Sequence, residues 1–459
     1  MKRYRFTILF AVILAGLGAY LYFVELPAER TQVLSETQGK KIVPFEMGEI
    51  TGLSVRSDTT KVVLAPGENR TWKITAPLQT NADSREVDSL LRALLLGKVS
   101  RVVEEKATAL APFGLEHPSV VLTVSAGSRR ETLSLGDAGP ISSTLYAMRA
   151  SDQKVLLTDL APTAFLNKTL LTFRDKQVLP FDQTKAERLR LMYPKIQIVL
   201  YQTTENDKKK WKIRAPQEAD ADQTAVRTLL FKLEDLKALG FIDPGPKHAA
   251  LTKKLTKPKA KITVHVDGAD RTVKLFQLKP ASGEAYAVTT AEAPIYRINP
   301  TVIKDLTKEV FALRDKRLLG IDLADLAKLA VKTRGEQYVL INQNNEWGLE
   351  DHPEEKLKQE AVDLFVSRVV NLPAEFRATK REGPLAPYGL THPAAEFTAT
   401  AKDGKRHGRL ALGTRVGGLV YATGQGLRGI YQARADLLTQ IPAKSELLAK
   451  AGQATSPAP

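Results

Sequence analysis

Two histidines occupy matching points of a motif that occurs twice, Phe113-Gly114-Leu115-Glu116-His117-Pro118 and Tyr388-Gly389-Leu390-Thr391-His392-Pro393. As metal ligands they need two or three partners each, and none stands nearby at ligand spacing. The motif reads instead as a turn that starts a strand, with glycine taking an unusual φ and proline forcing its predecessor extended. The chain has no cysteine, which removes disulfides, thiolate zinc sites, iron–sulfur clusters and cysteine nucleophiles together. No phosphate-binding Gly-x-x-x-x-Gly-Lys loop, Gly-x-Ser-x-Gly elbow, His-Glu-x-x-His pair or dinucleotide fingerprint occurs. Asp220 and Asp222 precede a helix and read as capping residues. The expectation is a protein that is not an enzyme, with no catalytic residue, no cofactor and no metal.

Three further groups invite a chemical reading. The three tryptophans, Trp72, Trp211 and Trp347, could form a sugar-stacking or cation-binding platform. One per repeat at a fixed place favours a core anchor joining sheet to helix. Arg174-Asp175-Lys176 and Arg314-Asp315-Lys316 end helices, where cations satisfy free carbonyl groups. Lys208, Lys209, Lys210, Lys253, Lys254, Lys257, Lys259 and Lys261 concentrate positive charge in the middle of the chain: residues 183–322 hold 27 basic against 17 acidic side chains. They form a candidate patch for anionic lipid, an anionic envelope polymer or an acidic partner, against the plainer reading of a solvated surface. Nucleic acid is not expected, because no binding motif for it appears.

The elements that position these residues recur three times. The tryptophans stand in Trp72-Lys73-Ile74, Trp211-Lys212-Ile213 and Trp347-Gly348-Leu349, at intervals of 139 and 136 residues. Ala76-Pro77 and Ala215-Pro216 follow the first two, and Tyr146, Tyr286 and Tyr421 form a further series, each followed by alanine. Repeats of this length are domain-sized. Within the first, strand-like runs lie at 50–55, 61–64 and around Trp72. Asn81 or Asp83 then caps a helix whose Val87, Leu90, Leu91, Leu94 and Leu95 share one face. Strands follow at 120–124 and around Leu133, Tyr146 and 155–157, and a helix over about 162–173 closes the unit. Val226, Leu229, Leu230 and Leu233, and later Val362, Leu364, Phe365 and Val369, repeat the apolar helix face. This order predicts an α+β fold, three tandem domains of antiparallel or mixed sheets with covering helices.

The chain has 459 residues, a net charge of +16 and 43% hydrophobic residues, enough for several cores. It opens with Lys2, Arg3 and Arg5 and then runs without charge from Phe6 to Val24. That length suits a transmembrane helix better than a cleaved signal, whose apolar region spans about 7–15 residues. The basic flank predicts a cytoplasmic N-terminus and an extracytoplasmic bulk. The expected divisions are a transmembrane anchor (1–24), a stalk (25–41), three repeats (42–178, 179–318 and 319–450) and a disordered tail (451–459).

These landmarks resemble the bacterial family catalogued as domain of unknown function 4340. The resemblance is carried by Gly16-Leu17-Gly18-Ala19-Tyr20, by the tryptophan strands with their prolines, and by Ala82-Asp83 and Ala221-Asp222. Phe113-Gly114-Leu115, Tyr388-Gly389-Leu390 and Leu313-Arg314-Asp315-Lys316 complete it. The second repeat departs at the Gly-Leu motif and the third at Arg-Asp-Lys. The resemblance implies an accessory envelope subunit working with an ABC transporter permease and a gliding-type auxiliary protein, and it supplies no catalytic residue. The expected function is a single-pass inner-membrane scaffold. A cell-wall or anionic-polymer binding module and an unrecognised envelope enzyme are the alternatives.

Overall fold

A computed structural model of the chain describes residues 41–449 except 59, 107–108, 206, 280–282, 291–292 and 380–382. The expected anchor (1–24), the stalk up to residue 40 and the expected tail lie outside the described residues. No described helix is long and apolar enough to cross a membrane.

The first sheet holds nine strands: β1 (Gly52–Arg56), β2 (Lys61–Pro66), β3 (Trp72–Ala76), β4 (Thr80–Asn81), β5 (Val99–Glu104), β6 (Val120–Ala126), β7 (Arg129–Ala138), β8 (Leu145–Arg149) and β9 (Val155–Thr158). Their order is β4-β3-β2-β1-β6-β7-β8-β9-β5, with antiparallel pairing throughout. Alternation decides which face is covered. In β6, Val120, Leu122, Val124 and Ala126 are buried while the residues between them are half-exposed. Helix α1 (Ser84–Leu96) lies against that face. Asp83 caps it by accepting from the Glu86 backbone N–H, and Val87, Leu90, Leu91 and Leu94 are buried. Glu86 does not close a reciprocal capping box; its carboxylate pairs with Lys168 at 2.5 Å.

The second sheet repeats the design with β10 (Ala186–Met192), β11 (Gln197–Glu205), β12 (Lys208–Ala215), β13 (Ala219–Asp220), β14 (Gly240–Ile242), β15 (Ala260–Val266), β16 (Ala269–Lys279), β17 (Glu284–Val288) and β18 (Ile295–Ile298). Its order, β13-β12-β11-β10-β15-β16-β17-β18-β14, is that of the first sheet strand for strand. Helix α2 (Gln223–Glu234) buries Val226, Leu229, Leu230 and Leu233 and is capped by Asp222. The third sheet lacks a counterpart of β4: β19 (Leu326–Thr333), β20 (Gln337–Gln343), β21 (Glu346–Leu349), β22 (Phe376–Arg377), β23 (Ala395–Ala401), β24 (His407–Val416), β25 (Leu419–Gly424) and β26 (Tyr431–Arg434) run β21-β20-β19-β23-β24-β25-β26-β22. Helix α3 (Gln359–Val370) buries Val362, Phe365, Val366, Val369 and Val370, whereas Leu364, expected on that face, is exposed.

By compactness the chain divides into two units, Met1–Gln177 with Lys237–Phe241, and Val178–Leu236 with Ile242–Pro459. Isolated bridges bracket the repeats at matching places. Lys41 pairs with Lys98, Gln177 with Lys237 and Arg317 with Pro373 at the start. Ala82 pairs with Arg174, Ala221 with Arg314 and Leu357 with Leu448 at the end.

The α+β expectation is overturned. Of the described residues 42% are strand and 22% helix, built on three large antiparallel sheets, so helices are an accessory layer. Two local features explain the misreading. Strands β4 and β5 flank α1 without a hydrophobic alternation to announce them, and their residues are mostly half-exposed or exposed. The expected closing helix over 162–173 is two single turns, Pro162–Phe165 and Leu170–Phe173. Asn167 between them takes a left-handed φ of 63°, and Thr169 caps the second turn anew.

Candidate functional site

Each tryptophan stands on a strand beside the covering helix, and the side chains that clamp it keep a fixed spacing. In the first repeat the Trp72 indole N–H donates to Asp88 Oδ1 at 2.9 Å, and its backbone N–H donates to Ser84 Oγ at 2.9 Å. In the third repeat the Trp347 indole N–H donates to Asp363 Oδ1 at 2.9 Å. Gln359 there takes the Trp347 backbone N–H at 2.8 Å and returns a bond to its carbonyl at 2.9 Å. The clamping residues therefore lie 12 and 16 positions after the tryptophan. In the second repeat Gln223, 12 positions on, makes both backbone bonds to Trp211 at 2.8 and 2.9 Å. Position 16 is Arg227, which has no acceptor to offer. The three indoles are 7, 4 and 5% exposed, so they serve as core anchors and not as an open stacking platform.

The Gly-Leu-x-His-Pro motif is a plug. Phe113 and Tyr388 each end a short 3-10 turn capped by a left-handed glycine, Gly114 (φ 63°) or Gly389 (φ 67°). Leu115 and Leu390 are buried, and the aromatic rings meet Tyr146 at 5.1 Å and Tyr421 at 4.9 Å between centroids. The turn docks closely on a strand glycine: a Cβ on Gly136 would lie 2.1 Å from the Phe113 carbonyl oxygen, and one on Gly413 would lie 2.2 Å from that of Tyr388. His117 and His392 are exposed on these turns. The second repeat lacks both plug and glycine. In the β15–β16 register, position 276 matches Gly136, and Phe276 there packs with Tyr286 and Ile295 beneath a helix at Pro246–Thr252.

The Arg-Asp-Lys segments serve the backbone. The Asp175 N–H donates to the Asn81 carbonyl at 3.1 Å and the Asp315 N–H to that of Asp220 at 2.9 Å. Their carboxylates accept from the N–H groups of Gln177 and Arg317. Lys176 Nζ donates to the Thr172 carbonyl at 3.1 Å, where a helix-end cation belongs.

Within the second unit a cleft of about 690 Å³ opens beside this segment. Six carboxylates and six cationic side chains line it, so it carries no net charge. Arg317 reaches Asp315 at 2.6 Å and Asp322 at 2.5 Å, Lys212 reaches Glu205 at 2.5 Å, and Lys210 lies 3.7 Å from Glu205 and 3.4 Å from Asp322. Arg406 pairs with Asp325 at 3.0 Å. The Lys212 hydrogen bond holds the Glu205 carboxyl below the usual range. Burial pushes Asp322 up, but Arg317 and Lys210 outweigh it and hold it low. The hydrogen bond that Arg317 donates to Asp315 leads the causes that raise Arg317. These groups are charged partners of one another and form a joint.

The eight candidate lysines do not form one patch. Register puts Lys212, Tyr201, Arg188 and His265 on one rung of the second sheet. Lys208 lies four residues beyond it toward one end and Lys261 four toward the other, a span of about 26 Å along the strands. Lys253, Lys254, Lys257 and Lys259 are exposed near the Lys261 end, while Lys210 is engaged in the cleft. Sequence reading missed Asp88, Asp363, Gln223, Gln359, Gly136 and Gly413. The constant spacing from each tryptophan was the signal for the first four.

No curated protein matches the chain, and no solved structure matches it. The family described as Domain of unknown function (DUF4340) matches residues 72–254 and again residues 211–379. The two matches begin at Trp72 and Trp211, so each runs from one tryptophan strand into the following repeat. Together they cover more than half of the chain, which therefore belongs to the DUF4340 family.

Proposed function

We propose that this protein is a noncatalytic binding and assembly scaffold of the bacterial envelope, tethered to the inner membrane through its apolar segment at residues 6–24. It serves there as an accessory subunit of an ABC-type transporter. The observation that supports a scaffold is the state of the ionisable groups in the cleft of the second unit. Glu205, Lys210, Lys212, Asp315, Arg317 and Asp322 neutralise one another in ion pairs, an arrangement suited to holding two segments together. A general acid or base needs instead a group poised to exchange a proton near the working pH. Tethering acts by effective concentration: domains confined near the membrane meet a membrane partner without needing high intrinsic affinity. The transporter assignment is supported by the resemblance of the landmark motifs to family members associated with such systems. Its test is co-purification of the full-length chain from mild detergent at native expression. Recovery of a permease or auxiliary subunit is expected, and recovery of the chain alone would contradict the assignment.

A further inference from the structure

The middle repeat keeps the tryptophan and loses the carboxylate that its two sister repeats place against it. Trp211 is 4% exposed, yet no acceptor among the described residues bonds its indole N–H. Where Asp88 and Asp363 receive that hydrogen, the second repeat has Arg227, whose Nε donates to the Gln223 carbonyl at 3.3 Å. A groove of about 820 Å³ opens at this point, lined in part by Gln202, Lys209, Trp211, Arg227, Thr228 and Phe231. Its lining includes two cations and no carboxylate. The nearby carboxylates Asp182 and Asp222 are both occupied in capping backbone N–H groups, those of Thr184 and of Thr224 and Ala225. Phe231 is 55% exposed at a position where the sister repeats carry Arg92 and Ser367.

We propose that this groove binds a carboxylate side chain from an acidic polypeptide segment, which takes the place that Asp88 and Asp363 fill internally in the other two repeats. The carboxylate accepts from the Trp211 indole N–H and from the free end of the Arg227 guanidinium, with Lys209 adding attraction. An apolar residue beside the acid packs on Phe231. A polypeptide is the fitting source because the sister repeats show a protein aspartate meeting this indole at 2.9 Å, and the local positive charge complements it. Among the described residues the Trp211 indole nitrogen is not one of the fully enclosed unpartnered atoms, so it meets solvent at the groove, where the incoming carboxylate reaches it. The inference stands apart from the transporter assignment: peptide binding by the full chain and recovery of a permease are read in separate experiments.

The test uses the full-length chain in detergent with 15N-labelled tryptophan, titrated with a capped hexapeptide of alternating aspartate and leucine. The expected result is a shift of the Trp211 indole resonance alone, with binding weakened about tenfold or more when asparagine replaces aspartate. R227D restores an internal acceptor, so it is expected to shift the Trp211 resonance without peptide and to abolish binding. The unchanged Trp72 and Trp347 resonances report that the variant is folded. R227Q removes the cation without supplying an acceptor and is expected to weaken binding while leaving the indole resonance of the free protein in place. The proposal is overturned if the asparagine peptide binds equally well or if neither peptide moves Trp211. It is also overturned if both Arg227 variants bind as the parent does, or if phosphatidylglycerol vesicles move the resonance and the peptide does not.

Discussion

The first and third repeats solve two packing problems alike, and the second solves both differently. In the first and third, an aspartate on the covering helix accepts the tryptophan indole N–H, and a strand glycine admits the Gly-Leu turn. In the second, Arg227 replaces the aspartate, Phe276 fills the place of the glycine, and the helix at Pro246–Thr252 covers what the turn covered elsewhere. The strand order is nevertheless the same in the first and second sheets. Backbone pairing and the helix face set the frame, and side-chain solutions can be exchanged within it as long as core volume is kept. The turn and the glycine that receives it are lost together, which is what a steric fit requires.

The comparison can be broken most forcefully at the tryptophans. Trp72→Ala or Trp347→Ala removes a buried ring together with its clamp and is expected to destabilise by about 3–5 kcal/mol in chemical denaturation. A cost below about 1 kcal/mol would show that these rings are not anchors. Gly136→Ala and Gly413→Ala drive a methyl group into a carbonyl oxygen and should cost about 1–3 kcal/mol. Hydrogen exchange should show the 111–115 or 386–390 turn released, and undisturbed protection there would contradict the plug. A finer discrimination comes from phenylalanine. Trp72→Phe and Trp347→Phe each lose a hydrogen bond to a carboxylate, about 1.5–3 kcal/mol, whereas Trp211→Phe loses none and should cost clearly less. Equal losses at all three positions would erase the distinction between the repeats.

The smallest effect concerns pH. The folded-state pKa values of Glu205 and Asp322 are depressed, so their contribution is present above the unfolded carboxylate range and is lost as pH falls through the folded values. Acidification below about pH 4 should therefore loosen the joint of the second unit. These side chains are partly exposed, and the loss per pair should stay near or below about 1 kcal/mol. Asp322→Asn should flatten this acid sensitivity, and a variant as acid-sensitive as the parent would remove Asp322 from the account.

Much of the repeat plan was legible, because Trp72, Trp211 and Trp347 and the leucine faces of α1 and α2 follow directly from burial and helical period. The predominance of strand was not. β4 has two residues, and β5 presents mostly exposed or half-exposed side chains, so neither carries a hydrophobic signature. The third repeat also hid its closing segment, because the sequence there abandons Arg-Asp-Lys. The backbone keeps the geometry regardless: the Lys358 N–H donates to the Leu447 carbonyl at 2.8 Å, as Asp222 does to Leu313 at 2.9 Å and Asp83 to Phe173 at 2.8 Å. Backbone bonds carry no side-chain signature, so this equivalence emerges only in three dimensions. The lysines show the opposite case. Their number was evident, but strand register alone decides that Lys208 and Lys261 point to different ends of a sheet.

Hydrogen exchange of the three indole N–H groups in the free full-length chain tests most directly the claim that the middle repeat is built to receive what its sisters supply themselves. The account predicts two slowly exchanging indoles, Trp72 and Trp347, and one fast, Trp211. Three indoles exchanging at one rate, or Trp211 as the slowest, would contradict it.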